Sequence, residues 1–162
     1  METLVCLECY TIFDKSLLKK RYKNYMCPKH CSNTICLVEI DEGLSHAIVA
    51  LNKNGISTLF SCFGHISMPY SNAPYISFAK PHKKYLLPIF EVATKLSKKY
   101  NIDVEKMETL EAPEITGFEI IHRFTVRGKR WPNDILERIS YQSEFLCYLY
   151  ELIEEVRNAR KR

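Results

Sequence analysis

The sequence contains no run approaching the ~20 apolar residues that a membrane-spanning helix needs. Its first residues, METLVCLECY, lack the basic start and apolar stretch of a secretory leader, so a cytoplasmic location is expected, in the host cytoplasm if the chain is virus-encoded. Internal repeats, low-complexity tracts and Gly/Ser linkers are all missing, and neighbouring segments are therefore expected to pack directly on one another. No glycine-rich phosphate loop of the dinucleotide-binding type is present. Nor is there a strong excess of one charge: 23 Lys and Arg against 19 Asp and Glu leave +4, too mild to argue for nucleic acid by itself.

What is present is enough apolar material, 46% of 162 residues, for one compact domain with a small appendage. The seven cysteines are Cys6, Cys9, Cys27, Cys31, Cys36, Cys62 and Cys147. An odd number without an export leader disfavours a disulfide framework and favours metal binding with spare thiols. "CLEC" at 6–9 and "CPKHC" at 27–31, separated by 17 residues, have the spacing of a zinc ribbon or knuckle. Each close pair wraps a tight turn that brings two sulfurs to one ion at about 2.3 Å. Cys6, Cys9, Cys27 and Cys31 are the expected zinc ligands, with His30 or Cys36 in reserve for the fourth position. The competing reading is a set of reduced, buried small residues.

Between the pairs, "DKSLLKKRYKNY" sets Lys15, Lys19, Lys20, Arg21 and Lys23 around Tyr22 and Tyr25. Such a run grips phosphates and stacks on bases, which makes RNA a candidate partner, or it is the solvated outer face of the ribbon. Residues 1–36 are read as the ribbon module and 37–162 as an α+β domain. Four thiolates with a dication would lower the whole-chain charge to about +2.

In the second domain, residues 35–40 ("ICLVEI") read as a strand, Asp41 as a helix N-cap, and Leu44, Ala47, Ile48 and Leu51 as the apolar face of a helix ended by Asn54-Gly55. Strands are expected at 56–62 and 75–79, and an amphipathic helix at 85–100 with Leu86, Ile89, Phe90, Ala93 and Leu96 on one face. A weaker strand follows within 102–110. A long one covers 115–127, with Phe118, Ile120, His122, Phe124 and Val126 sharing a face. The last helix, 132–159, would be about 42 Å long, with Pro132 in its first turn. Its apolar stripe of Ile135, Leu136, Ile139, Leu146, Leu149, Ile153 and Val156 is wide enough to suggest a homodimer as well as simple core packing. The fold class is α+β: an N-terminal zinc ribbon, then a mixed sheet with helices mostly on one face and a long C-terminal helix.

"STLFSCFGHI" at 57–66 runs an apolar strand into a turn that Gly64 can aim sharply. Cys62 and His65, three apart, are a weak nucleophile–base pair, and no catalytic residue is assigned. The loop that follows supplies hydroxyls, an amide and aromatic faces, which favours ligand binding. Candidate ligand-binding residues are Ser61, Cys62, Gly64, His65, Tyr70, Asn72 and Tyr75. Arg123 and Arg127 on the long strand are fixed cations for an anionic ligand.

The CxxC…Cx₃C pairs, "LNKNGISTLFSCFGH" and "PYISF" resemble a group of small, largely uncharacterised zinc-ribbon proteins with a C-x-G-H segment, encoded by phages of Gram-positive bacteria and by their hosts. The resemblance covers residues 6–80 and implies a host-manipulation or counter-defence setting. More distantly, Ser61, Cys62 and Gly64 resemble the Ser-Cys-Ser-Gly segment of the tRNA-wybutosine methyltransferase family, which uses S-adenosylmethionine; Phe63 and His65 depart from it. Three functions are thus expected to compete. The leading one is an accessory protein that binds, without turning over, a small nucleotide-like or otherwise anionic ligand, in the manner of a sequestering protein. The others are an S-adenosylmethionine-dependent RNA-modifying enzyme and a zinc-ribbon adaptor for nucleic acid or protein.

Overall fold

The computed structural model describes residues 2–20, 25–29, 31, 37–68, 71–111 and 117–162. Three short strands form the first sheet: β1 (Glu2–Val5) is central and antiparallel to both β2 (Ile12–Asp14) and β3 (Val38–Asp41). Because successive side chains of a strand point to opposite faces, β1 serves two cores. Leu4 packs with the cysteines Cys6 and Cys27 and with Leu37, while Val5 enters the main core with Ile40 and Ile48. The expected boundary at residue 36 is therefore bridged by pairing, since β3 belongs to the following segment and aligns Val38 with Val5 and Asp41 with Glu2. His30, Cys36 and part of the basic run, Arg21 to Lys23, lie outside the described residues.

The second sheet is built from β4 (Thr58–Cys62), β5 (Tyr75–Lys80), β6 (Ile102–Val104), β7 (Glu108–Glu111) and β8 (Ile120–Gly128). Its order is β4-β5-β8-β6, with β7 also against β8, and every pairing is antiparallel. The expectation of a mixed sheet is corrected here. Helix α2 (Lys83–Ser97) carries the chain from β5 to a parallel β6, but β8 inserts between them, antiparallel to both. The weak strand expected at 102–110 is one edge in two pieces. Val104 faces Val126 and Glu108 faces Arg123, so the edge holds one more residue than β8 does over the same stretch, a bulge.

Helix α1 (Ser45–Lys53) ends as expected at Asn54, with Gly55 at φ 73°. Asp41, by contrast, makes no side-chain cap: its carboxylate accepts the Phe63 N–H at 2.7 Å, tying the end of β3 to the end of β4. Leu86, Ile89, Ala93 and Leu96 of α2 are buried as expected, joined by Ile76, Phe78, Phe124 and Val126 from the sheet. The shared face holds for Phe124 and Val126 on β8 but not for Phe118 and Ile120, which are exposed, while Ile121 of the opposite face is buried.

The final helix, α3, runs Ile135–Arg160 with Asp134 as N-cap, so Pro132 precedes it. Its buried stripe is Arg138, Gln142, Phe145, Leu149, Leu152 and Val156, with Tyr148 and Ile153 beside it. Ile135, Leu136 and Ile139, expected inside, are 52%, 75% and 44% exposed. The stripe is turned at its N-terminal end because Arg138 and Gln142 find partners in the loop after β4.

Glu151 of α3 accepts hydrogen bonds from the Lys99 ammonium (2.5 Å) and the Tyr100 hydroxyl, and these hold its carboxyl below the ordinary 4.5. A carboxyl depressed in the folded state stabilises the fold above its unfolded value, and that contribution disappears as pH falls through the folded value. Glu151→Gln is accordingly expected to lower the melting temperature at neutral pH, by an amount that shrinks as pH falls through the folded value of the wild-type carboxyl. Thermal scans across that range check it.

Candidate metal centre and ligand surfaces

The candidate metal centre is assembled by two turns, one directly after β1 and one at residues 27–31. After β1 the chain turns on Tyr10, whose φ of 58° closes a knuckle: Tyr10 N–H donates to the Cys6 carbonyl at 2.8 Å and Cys6 N–H to the Thr11 carbonyl at 3.0 Å. Cys9 N–H points at Cys6 Sγ, 3.5 Å away. The second turn delivers Cys27 and Cys31, and all four sulfurs lie within 4.8 Å of one another. Cys9 Sγ and Cys27 Sγ are 3.7 Å apart, close to the edge of about 3.8 Å for a tetrahedron with 2.3 Å zinc–sulfur bonds.

Without a cation, four thiols this close cannot all ionise. The Thr11 hydroxyl, 3.3 Å from Cys9 Sγ, draws that thiol down to about 6, whereas burial and the neighbouring sulfurs push Cys31 up to about 12 and burial raises Cys6. A dication would remove the conflict by charge balance. Cys6, Cys9, Cys27 and Cys31 thus form a tetrathiolate set at metal-binding distance, compatible with zinc.

The glycine turn after β4 is a clamp. Gly64 sits at φ 76°, and an added Cβ would stand 2.8 Å from the Trp131 ring and 3.0 Å from the Asn72 carbonyl. Arg138, 2% exposed, fills the inside of the turn. Its Nη1 donates to the carbonyls of His65, Ile66 and Met68 at 3.2, 2.9 and 2.7 Å, its Nε to that of Pro132 at 2.5 Å, and Trp131 stacks on the guanidinium. Gln142 Nε2 holds the carbonyls of Phe63 and Gly64, and the Ser71 hydroxyl donates to the His65 carbonyl while accepting from Trp131 Nε1 at 2.7 Å. The main-chain groups that were to meet a ligand at Gly64 and His65 are already bonded within the chain.

The open side of this turn borders a 460 Å³ cleft walled by Glu2, Asp41 and Glu42, the wrong charge for an anion. Asn72 is exposed beside it, and Tyr70 lies outside the described residues. Gly64→Ala should destabilise the protein by about 2 kcal/mol or more, combining a strained left-handed conformation with a clash against a packed indole. Urea unfolding would measure this.

Three of the remaining candidates come together. Cys62, Tyr75 and Arg127 are aligned across β4, β5 and β8, on the face opposite the helices. The Arg127 guanidinium lies 4.6 Å over the Tyr75 ring, and its Nε donates to Glu105 Oε1 at 2.8 Å. Arg123, four residues along the strand on the same face, pairs with Glu108 at 2.6 Å, and its buried Nε has no partner among the described residues. Ser77 and Thr125 are bonded to each other at 2.7 Å between the two arginines. Ser61 points to the other face, opposite Ile76. Burial pushes the Cys62 thiol up, which makes it a poor nucleophile at neutral pH. His122 is a half-buried residue whose Nδ1 lies 3.3 Å from Thr109 Oγ1.

Comparison with protein-family models, with curated proteins and with solved structures gives no match for this chain. No helix among the described residues is long and apolar enough to cross a membrane. Sequence reasoning missed Arg138, Gln142 and Trp131. The spacing 138, 142, 145, 149, 152, 156 carried a signal, since it extends the apolar stripe of α3 backward onto two polar side chains.

Proposed function

We propose that this is a zinc-stapled binding protein that holds a planar, anionic, nucleotide-like ligand on the face of its second sheet opposite α2 without turning it over. The observation that carries this reading is the Tyr75–Arg127 stack in line with Cys62, with Arg123 farther along the same face. A guanidinium held flat on an aromatic ring offers a stacking surface for a base and donors for a phosphate. The carboxylates now facing Arg123 and Arg127 belong to partly exposed surface pairs, which cost little to exchange for a phosphate.

The resemblance to phage-encoded proteins supports a sequestering role in counter-defence, with zinc at the tetrathiolate set serving stability. Titration of the zinc-loaded chain with ADP, followed by fluorescence or calorimetry, tests the reading. Tyr75→Ala and Arg127→Gln should each weaken binding about tenfold, the loss of one stacked or charge-assisted contact of roughly 1.4 kcal/mol. Unchanged affinity in both variants would overturn it. Intact nucleotide recovered after long incubation supports binding without turnover.

A further inference from the structure

A second cavity lies at the opposite end of β5 from Tyr75, five residues away and so about 17 Å along the strand. Its volume of about 590 Å³ is that of a small-molecule site. The walls come from the segment that enters α2 and from the last turns of α3, and they combine two chemistries. Pro81, Pro88, Ile89 and Val156 are aliphatic, and Lys80, Lys84 and Arg160 are cationic. Among the described residues no carboxylate lines the cavity and none of these three cations makes an ion pair.

The cations are held there by the fold. Arg160 is anchored by Nη1, which donates to the Asn54 carbonyl at 2.5 Å just past the end of α1. Lys84 lies with its ammonium 5.0 Å from the centre of the Tyr85 ring. Lys80, half-buried on β5, is pushed below its ordinary value by burial and by the charge of Arg160. Among the described residues five other cations have carboxylate partners: Lys15 has two, and Lys99, Arg123, Arg127 and Lys129 have one each. Leaving three cations together, one of them half-buried, without a counter-charge is unfavourable in the free protein, and a bound anion relieves it.

We propose that this cavity is a binding site for a phosphate-bearing organic molecule, its phosphates on Lys80, Lys84 and Arg160 and its organic part against Pro81, Pro88, Ile89 and Val156. The site is separate from the sheet face and does not depend on the reading given above. An aliphatic wall beside a cation cluster selects against inorganic anions, which would leave the apolar side wet. It also selects against an uncharged nucleoside, which would leave the cations unpaired.

The test uses the full zinc-loaded chain with ADP, pyrophosphate and adenosine as probes, read by calorimetry and by methyl NMR shifts of Ile89 and Val156. ADP is expected to bind at least tenfold more tightly than either fragment and to shift both methyl groups. Lys80→Gln with Lys84→Gln should lower at least tenfold the ADP affinity read at the Ile89 and Val156 methyl groups, while leaving the melting temperature the same or higher, because a repulsion is removed. Arg127→Gln should leave the Ile89 and Val156 shifts intact. If ADP moves neither methyl group, or if the double variant binds ADP as wild type does, the cavity assignment is overturned. Loss of ADP binding in Arg127→Gln alone would place the nucleotide on the sheet face. Adenosine binding as tightly as ADP would overturn the role of the cations, and pyrophosphate doing so would overturn that of the apolar wall.

Discussion

Withdrawing the metal with a strong chelator is expected to melt β2 and the two cysteine turns while the second sheet and its helices stay folded. The reason is the size of the core at that end. Among the described residues only Leu4, Cys6, Cys27 and Leu37 are buried together there, with Cys9, Phe13, Leu18, Tyr25 and Cys31 partly covering them. Strands of three and four residues with so few apolar neighbours cannot offset their own ordering entropy. In sites of this kind the metal supplies about 10–16 kcal/mol of apparent binding free energy, which becomes folding free energy.

Elemental analysis should find one zinc per chain. Hydrogen exchange after chelation should show the amides of Cys6 and Tyr10, bonded across the knuckle, losing protection. The amides of Phe124 and Val126 should keep it. Cys6→Ser and Cys27→Ser should reproduce the pattern without chelator. Full protection of the Cys6 amide in a metal-free sample would contradict the tetrathiolate reading.

Replacing Arg138 should be the most damaging single change outside the metal site, at about 3–5 kcal/mol. Its guanidinium is buried with no carboxylate in contact among the described residues; the positive charge is met by four backbone carbonyls and the face of Trp131. Arg138→Met removes the charge but takes the donor from the part-buried carbonyls of Pro132, Ile66 and Met68, while that of His65 keeps the Ser71 hydroxyl. Arg138→Lys keeps the charge but loses the planar fork that reaches Pro132 on one side and the 65–68 turn on the other, so it should recover only part of the loss. Urea unfolding with an unchanged m-value would report these differences as true stability changes. A loss under about 1 kcal/mol in Arg138→Met would show that the turn is held by Gln142 and Ser71 instead.

Much of the architecture was legible before any coordinates. Leu86, Ile89, Ala93 and Leu96 follow the helical repeat because one face of α2 meets the sheet, and Asn54-Gly55 ends α1 because a left-handed residue closes its last turn. The four cysteines were legible for a related reason: metal ligation is set by short local spacings. The ligand-binding set was less so. Arg127 and Tyr75 do meet, but as cross-strand neighbours, a relation that depends on β8 inserting between β5 and β6. The Gly64 turn was recognisable as a special backbone position, yet not as a filled one, since its filling comes from a helix more than seventy residues later.

The residues by themselves determine the helix and strand periods, the chain reversals at glycine and the thiol cluster, all of which arise from interactions between neighbours in the chain. Tertiary packing alone decides the strand order, the burial of Arg138 and Gln142 in place of Ile135 and Ile139, and the meeting of Lys80 with Arg160 around one cavity. Those outcomes depend on which distant carbonyls and charges share a desolvated space, and a linear pattern does not encode that distance.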